Sequence, residues 1–340
     1  MKKQSFTFSS SSTDLYFSAN INHLKDIIDL KNSIFITDEN VYKAHSNKFK
    51  KNKVIILKPG EAYKNQATVD TIVQQLLEME ADRKTFLVGV GGGVITDITG
   101  YVASIYMRGI KFGFVPTTLL ALVDASIGGK NGIDVGVYKN ILGITRQPSF
   151  ILQDLNFLKT LPDAEWKNGF AEIIKHACIK DLTMFKQLQQ HSLSYYMSHK
   201  KETDILIQRN ARIKIKVVQL DEFEQGERKL LNFGHTLGHA LENQYKLMHG
   251  QAVAVGMTYA SHIAAELTGF RKSADIVQTL ELYGLPTYIN FDKEKVFDVL
   301  KMDKKRERKD INFILLERIG KGRIVSIPLD ELQQIINSLL

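Results

Sequence analysis

The chain has 340 residues, 44% of them apolar and 24% charged, and its 45 Lys+Arg against 37 Asp+Glu leave a net charge of +8. This is the composition of a soluble globular protein and excludes the disordered and fibrous classes. The single cysteine, Cys178, excludes a disulfide framework and a thiolate zinc site and fits a reducing compartment. The uncharged stretches Thr85 to Thr96 and Phe112 to Val123 are too short to cross a bilayer. Met1-Lys2-Lys3 runs into a polar segment holding Ser9 to Ser12, not into an apolar leader core. The expected location is therefore the cytoplasm, with no membrane partner. Basic residues are scattered apart from Lys48, Lys50, Lys51 and Lys53 and the run from Lys301 to Lys309, and both clusters read as solvated faces. With no zinc-finger spacing, RNA-binding aromatic signature or long basic helix, nucleic acid is not an expected partner.

A chain of this length exceeds what one hydrophobic core usually spans, so two domains are expected. Ser33 to Thr37 reads as a strand, Val41 to Phe49 as a helix, Val54 to Leu57 as a strand and Ala67 to Met79 as a helix with apolar residues at helical spacing. Phe86 to Val90 is a further strand that runs into Gly91-Gly92-Gly93 and a helix ending near Met107. Strands alternating with helices imply parallel crossovers, and hence an α/β fold with a doubly wound, mostly parallel, Rossmann-like sheet over 1–160. Past Pro162 the pattern becomes helical, at Ala164 to Lys180, Thr203 to Leu220, Phe233 to Tyr245, Ala252 to Thr268 and Ser273 to Tyr283. Strands at Ile311 to Leu316 and Arg323 to Ile327, joined through Gly320-Lys321-Gly322, precede a last helix from Leu329. Residues 161–340 are thus expected to form a mainly α-helical domain.

Three constellations carry chemistry. Gly91-Gly92-Gly93-Val94-Ile95-Thr96-Asp97 lies where a strand becomes a helix, a junction at which glycines admit a phosphate and free helix amides bind it. It is not the GxGxxG fingerprint, and a tight turn that merely packs fits equally well. Pro116-Thr117-Thr118 leads into Asp124 and Gly128-Gly129-Lys130, a polar loop after a strand that lacks P-loop spacing and reads as a ligand lining only beside its neighbours. His235, His239 and His249 form the third, with Glu172 upstream. His235 and His239 share one helical face and can hold a metal between them, although packed or capping histidines are the commoner case. Glu172 and Lys175 are one turn apart amid apolar Phe170, Ile173, Ile174 and Ala177, where a carboxylate needs a cationic partner.

In order along the chain, the strings GGGVITDITGYVASIYMRGI, PTTLLALVDASIGGK, AEIIKH, RKLLNFGHTLGHALE and HGQAVAVGM resemble the dehydroquinate synthase family, from about Thr37 to Gly320. The resemblance implies Glu172, His235 and His249 as ligands of zinc, with cobalt as the alternative, and His239 beside them as a supporting or proton-transfer residue. It places NAD along Asp38, Glu61, Lys64, Gly92, Gly93, Val94, Asp97, Thr117, Thr118, Lys130, Lys139, Phe157 and Thr160. Substrate contacts carry over to Asp124, Lys130, Asn140, Lys175, Lys214, Arg228, Asn232 and Lys305, of which Lys175, Arg228 and Asn232 join His239 as catalytic. Asp134, Tyr138 and the pair Thr145-Arg146 depart from residues usual in the family, next to the cofactor contacts.

The implied reaction, in the shikimate route to aromatic amino acids, converts 3-deoxy-D-arabino-heptulosonate 7-phosphate to 3-dehydroquinate and phosphate. A small anionic sugar phosphate is thus the expected partner, and a homodimer the expected assembly. The alternatives are another sugar-phosphate cyclase, of inosose or valiolone type, and a metal-dependent polyol dehydrogenase. Lys130, Asn140, Lys214, Arg228 and Asn232 favour the dehydroquinate synthase reading, because function follows the site and not the fold.

Overall fold

A computed structural model of the protein describes residues 1–136, 138–301, 306–307 and 310–338. Its two compact units are 1–165 with 204–223, and 166–203 with 224–340. The chain leaves the first unit after residue 165 and returns to it for one helical segment, a return that helical periodicity alone does not signal.

In the first unit, Lys2–Thr7 (β1) and Ser12–Phe17 (β2) pair as an antiparallel hairpin. Ser33–Asp38 (β3), Lys53–Leu57 (β4), Phe86–Gly91 (β5) and Lys111–Pro116 (β6) follow, and Lys130–Val135 (β7) and Tyr138–Thr145 (β8) form a separate hairpin. With Phe150–Leu152 (β9), the main sheet has the order β1-β2-β9-β6-β5-β3-β4, parallel at every pairing after the first. Alternation along the strands feeds two cores. Ile34, Ile36, Leu87, Phe112 and Phe114 face one side, with helices Gln66–Glu78 (α2) and Gly93–Ile105 (α3) supplying Val69, Ile72, Leu76, Ile95, Ile98 and Val102. Phe35, Val88, Val90 and Val115 face the other, against Ile21, Leu24, Phe49 and Phe157. A sheet buried on both faces accounts for the near-continuous apolar runs of its strands.

Helix Glu39–His45 (α1) starts earlier than expected, capped by Asp38, whose carboxylate accepts from the Val41 amide at 3.0 Å. Helix α3 stops short of Met107, because Met107 and Arg108 adopt φ of 49° and 68°. Neither hairpin was expected. Strand β1 is short, polar and at the sheet edge, where alternation is weakest, and most of β8 is exposed.

The second unit is built around Asp163–Lys180 (α4), buried on all sides from Asn168 to Ile179 although Asn168, Glu172, Lys175 and His176 lie within that stretch. Leu182–Leu188 (α5), Leu193–Ser198 (α6) and Lys200–Leu220 (α7) follow, the last crossing back to the first unit. His235–Tyr245 (α8), His249–Thr268 (α9), Ser273–Leu282 (α10), Lys293–Lys301 (α11) and Leu329–Ser338 (α12) complete the helices. Arg306–Glu307 (β10), Asp310–Arg318 (β11) and Lys321–Pro328 (β12) form a small antiparallel sheet. Among the described residues, no helix is long and apolar enough to cross a membrane.

Helices α8 and α9 approach at backbone distance. A Cβ at Gly256 would lie 1.9 Å from the Gly234 carbonyl oxygen, and one at Gly238 would lie 2.9 Å from that of Ala252. The helices that carry His235 and His249 are therefore locked by missing side chains. Gly256→Ala should destabilise the protein by about 1–3 kcal/mol through overpacking and reduce its metal content. Thermal denaturation and elemental analysis check this, and an unchanged Tm would show that the helices separate without cost.

Candidate metal and dinucleotide sites

Three elements deliver one donor set in the second unit. Glu172 lies midway along α4 with no exposed surface, while His235 and His249 are the first residues of α8 and α9. Left-handed Gly234, at φ 79°, turns the chain into α8. Asn168, one turn before Glu172, accepts from the Gly250 amide and so ties the start of α9 to α4. Helix α9 consequently begins ahead of the expected Ala252, with His249 inside it. Glu172 Oε1 lies 3.4 Å from His235 Nε2 and 3.2 Å from His249 Nε2.

The remote nitrogens are also held. His235 Nδ1 lies 3.2 Å from the Phe233 carbonyl oxygen, and His249 Nδ1 lies 3.5 Å from Glu242 Oε2. Carbonyl and carboxylate acceptors there hold a ring proton on Nδ1 and aim Nε2 of each ring toward Glu172. One carboxylate oxygen and two imidazole nitrogens form a donor set of the catalytic zinc type, leaving room for a further ligand. His239 is the expected neighbour, its ring centroid 5.2 Å from that of His235 and 6.4 Å from that of His249. His239, Glu242 and His249 also bring ligand atoms within 4.8 Å of one another, so geometry alone does not confine His239 to a supporting place.

Electrostatics matches this arrangement. Burial would raise the Glu172 carboxyl, but the buried Lys175 ammonium paired with it and the His235 and His249 rings bring it well below the usual carboxylate range. Burial and the nearby Lys175 charge push His235 down to about 4. Burial would also lower His249, but its contacts with Glu172 and Glu242 raise it to about 9. Glu172 is thereby held ionised and His235 neutral, the forms in which each can ligate a metal.

Arg228 is buried on the turn Glu227–Asn232, and Asn232 donates through Nδ2 to Glu224 Oε1 at 2.6 Å. Glu224 and Glu242 were not foreseen. Neither stands at metal-ligand spacing, and each acts on a residue that sequence motifs had already taken up. Lys305 lies outside the described residues.

In the first unit, successive strands progress from β3 to β4 in one direction and from β5 to β6 in the other. The switch falls between β3 and β5, where open parallel sheets bind ligands beyond their carboxyl ends. Asp38 ends β3, Gly92 and Gly93 follow β5, and Thr117 and Thr118 follow β6, with the Thr117 amide donating to the Gly91 carbonyl oxygen at 2.9 Å. Gly92 and Gly93 lie so close to Thr118 and Ala125 that a Cβ would come within 3.0 and 3.2 Å of their side chains. Val94 and Asp97 lie in the opening turns of α3, whose first amides have no partner within the helix.

Lys64 Nζ donates to Asp97 Oδ2 and to Asn140 Oδ1, both at 2.6 Å, with Glu61 3.9 Å away. Burial disfavours the Lys64 ammonium, but Asp97 and Glu61 outweigh it and hold its pKa above the ordinary lysine value. Lys214, on α7, donates to the Asp124 carbonyl oxygen at 2.8 Å and pairs with its Oδ1 at 2.9 Å. Asp124 lies in a five-residue π-helical turn, Ala121–Ala125, a form frequent at functional sites. Lys130 is exposed, and half-buried Lys139 bears electrostatically on Glu61. Phe157 and Thr160 meet His45, whose Nε2 is 2.8 Å from Thr160 Oγ1 and whose ring meets Phe157 edge-on at 4.7 Å. His45 is a further residue that no motif marked.

Fold and donor set together define a class of two-unit α/β proteins with a candidate metal centre. A 2-deoxy-scyllo-inosose synthase structure, complexed with carbaglucose-6-phosphate, NAD+ and Co2+, matches with a TM-score of 0.86 at 25% identity over 99% of this chain and 100% of that one. A 2-epi-5-epi-valiolone synthase structure from Streptomyces hygroscopicus, with NAD+ and Zn2+ bound, shares the fold with a TM-score of 0.88 at 24% identity over 98% of each chain. Residues 54–168 match the 3-dehydroquinate synthase N-terminal family and residues 169–306 the 3-dehydroquinate synthase C-terminal family. A 3-dehydroquinate synthase of Campylobacter fetus is 43% identical over 272 residues, 78% of either chain. The chain belongs to the 3-dehydroquinate synthase family.

Glu172, His235 and His249 are expected to hold one divalent ion per chain. His235→Ala and His249→Ala should abolish stoichiometric binding while His239→Ala retains it. Glu242→Gln should weaken affinity about 10–100-fold by releasing the His249 ring. Elemental analysis and titration with Zn2+ read all four variants, and loss of the ion from His239→Ala would move the centre onto the His239, Glu242 and His249 set.

Proposed function

We propose that the protein is a 3-dehydroquinate synthase, a carbon–oxygen lyase that converts 3-deoxy-D-arabino-heptulosonate 7-phosphate to 3-dehydroquinate and phosphate with NAD and zinc or cobalt. The observation that carries this reading is the convergence of Glu172, His235 and His249 in a chain whose family matches run from residue 54 to residue 306. When bound, the metal supplies a Lewis acid at a substrate hydroxyl, and NAD accepts a hydride and returns it.

The chain's own residues bind and orient. A substrate with a carboxylate and a phosphate calls for cations, and those proposed are Lys130, Lys175, Lys214 and Arg228. Arg228, nearly fully buried, offers a planar fork suited to two oxyanion oxygens, whereas the lysines act as point charges. Asn232 is held in place by Glu224, and Asn140 by Lys64. Lys175 has a second task, because its charge keeps Glu172 ionised and able to act as a ligand. The amides that open α3 at Gly93 and Val94 suit a pyrophosphate, and Asp38, at the end of β3, suits a ribose hydroxyl. His239 moves a proton near the substrate, and the departing phosphate is the base for its own elimination.

Substrate and product lie at the same oxidation level, so catalytic NAD should support many equivalents of phosphate release without accumulation of NADH. Parallel phosphate and absorbance traces under limiting NAD test this, and one NADH per product would identify a dehydrogenase instead. Arg228→Ala should lower kcat/KM about 100-fold or more, because it removes a desolvated charge-assisted contact.

A further inference from the structure

The hairpin β7–β8 breaks its own ladder next to the Lys64 network. Ile133 pairs with Leu142 and Val135 with Tyr138, so a two-residue step on β7 opposes a four-residue step on β8. The surplus residues form a bulge, and bulges beside functional sites re-aim a side chain. Here the re-aimed residue is Asn140, at φ 53° in the left-handed region that asparagine tolerates better than most residues.

Asp134 faces this bulge. Its Oδ1 accepts from the Asn140 amide at 2.7 Å, and its own amide donates to the Lys64 carbonyl oxygen at 2.8 Å. Lys64 Nζ in turn donates to Asn140 Oδ1. The contacts close a ring through Asp134, Asn140 and Lys64, in which two bonds fix backbone and the third fixes the amide side chain. Without the Asp134 acceptor, the Asn140 amide would be free to leave the strained conformation, and its side chain would lose its aim.

We propose that Asp134 is a positioning residue, which holds Asn140 in its left-handed conformation and thereby presents the Asn140 amide to the substrate. This rests on the reading of Asn140 as a substrate contact. The role requires an acceptor oxygen at this point and not a charge, so an asparagine satisfies it.

The test uses the full chain with zinc, NAD and the heptulosonate phosphate, and measures phosphate release and thermal melting for four variants. Asn140→Ala should lower kcat/KM about 100-fold, and Asp134→Ala about tenfold, mostly in kcat, with a Tm near that of the parent. Asp134→Asn should lie within about threefold of the parent, since its amide oxygen accepts the same bond. In the Asn140→Ala background, Asp134→Ala should cost no more than about twofold further, because a residue that acts through Asn140 has nothing left to position. Multiplying effects in the double variant, or an Asp134→Asn enzyme as impaired as Asp134→Ala, would overturn the proposal while leaving Asn140 in its place. A fully active Asn140→Ala enzyme would sink both the proposal and the substrate reading beneath it. Asp134→Asn keeps the test decisive if the alanine variant does not fold.

Discussion

A fully buried carboxylate organises the second unit. Glu172 has lost its water, and an ionised carboxylate there is tolerable only with cationic and hydrogen-bonding company on every side. Lys175 supplies that company from the same helix, one turn on, and the two imidazoles supply it from α8 and α9. Burying the pair is costly in itself, and removal of either partner would leave a lone charge in the core. The expense is understandable as preparation of a donor set, because an ionised, desolvated oxygen facing two imidazole nitrogens has far more to gain from a divalent cation than from water. The glycine contacts between α8 and α9, and the Asn168 bond to the Gly250 amide, keep the three donors from drifting apart.

The first unit solves a different problem by similar means. One buried lysine serves Asp97, Asn140 and Glu61 at the carboxyl side of a parallel sheet, and its charge survives burial only because carboxylates surround it. Such a network is stiff, and it joins the helix that opens the candidate dinucleotide site to the hairpin that bears Asn140. The proposed cofactor residues Glu61 and Asp97 and the proposed substrate residue Asn140 thus share a single cation as their common support.

Much of this was legible in the residues, for reasons that can be stated. The alternation of β3, β4, β5 and β6 with helices follows from apolar runs and glycine stops, and the glycines after β5 mark the phosphate-type junction without help from tertiary structure. The metal set was less legible. A four-residue spacing makes His235 and His239 look like a pair, yet Glu172 Oε1 meets His235 and His249, and His249 opens a different helix. The residues alone grouped His249 with that pair, and only the family resemblance made it a ligand in place of His239. Glu224, Glu242 and His45 escaped altogether, because a residue that steadies another side chain carries no spacing signal of its own. The bulge at Asn140 escaped for a related reason, since register is settled by the partner strand and not by the strand itself.

The return of α7 to the first unit bears on how the protein is made. Ala211 and Ile215, on that helix, belong to the same apolar core as the strands of the Rossmann-like sheet and helices α2 and α3. A ribosome that has released only the first 165 residues has therefore released an amino-terminal unit with part of its core still missing. The sheet must wait, with apolar surface uncovered, while α4, α5 and α6 emerge and until the chain has passed residue 223. Domain-by-domain folding during synthesis, the usual refuge of a chain this long, is replaced here by an interleaved order, in which the second unit begins before the first can finish.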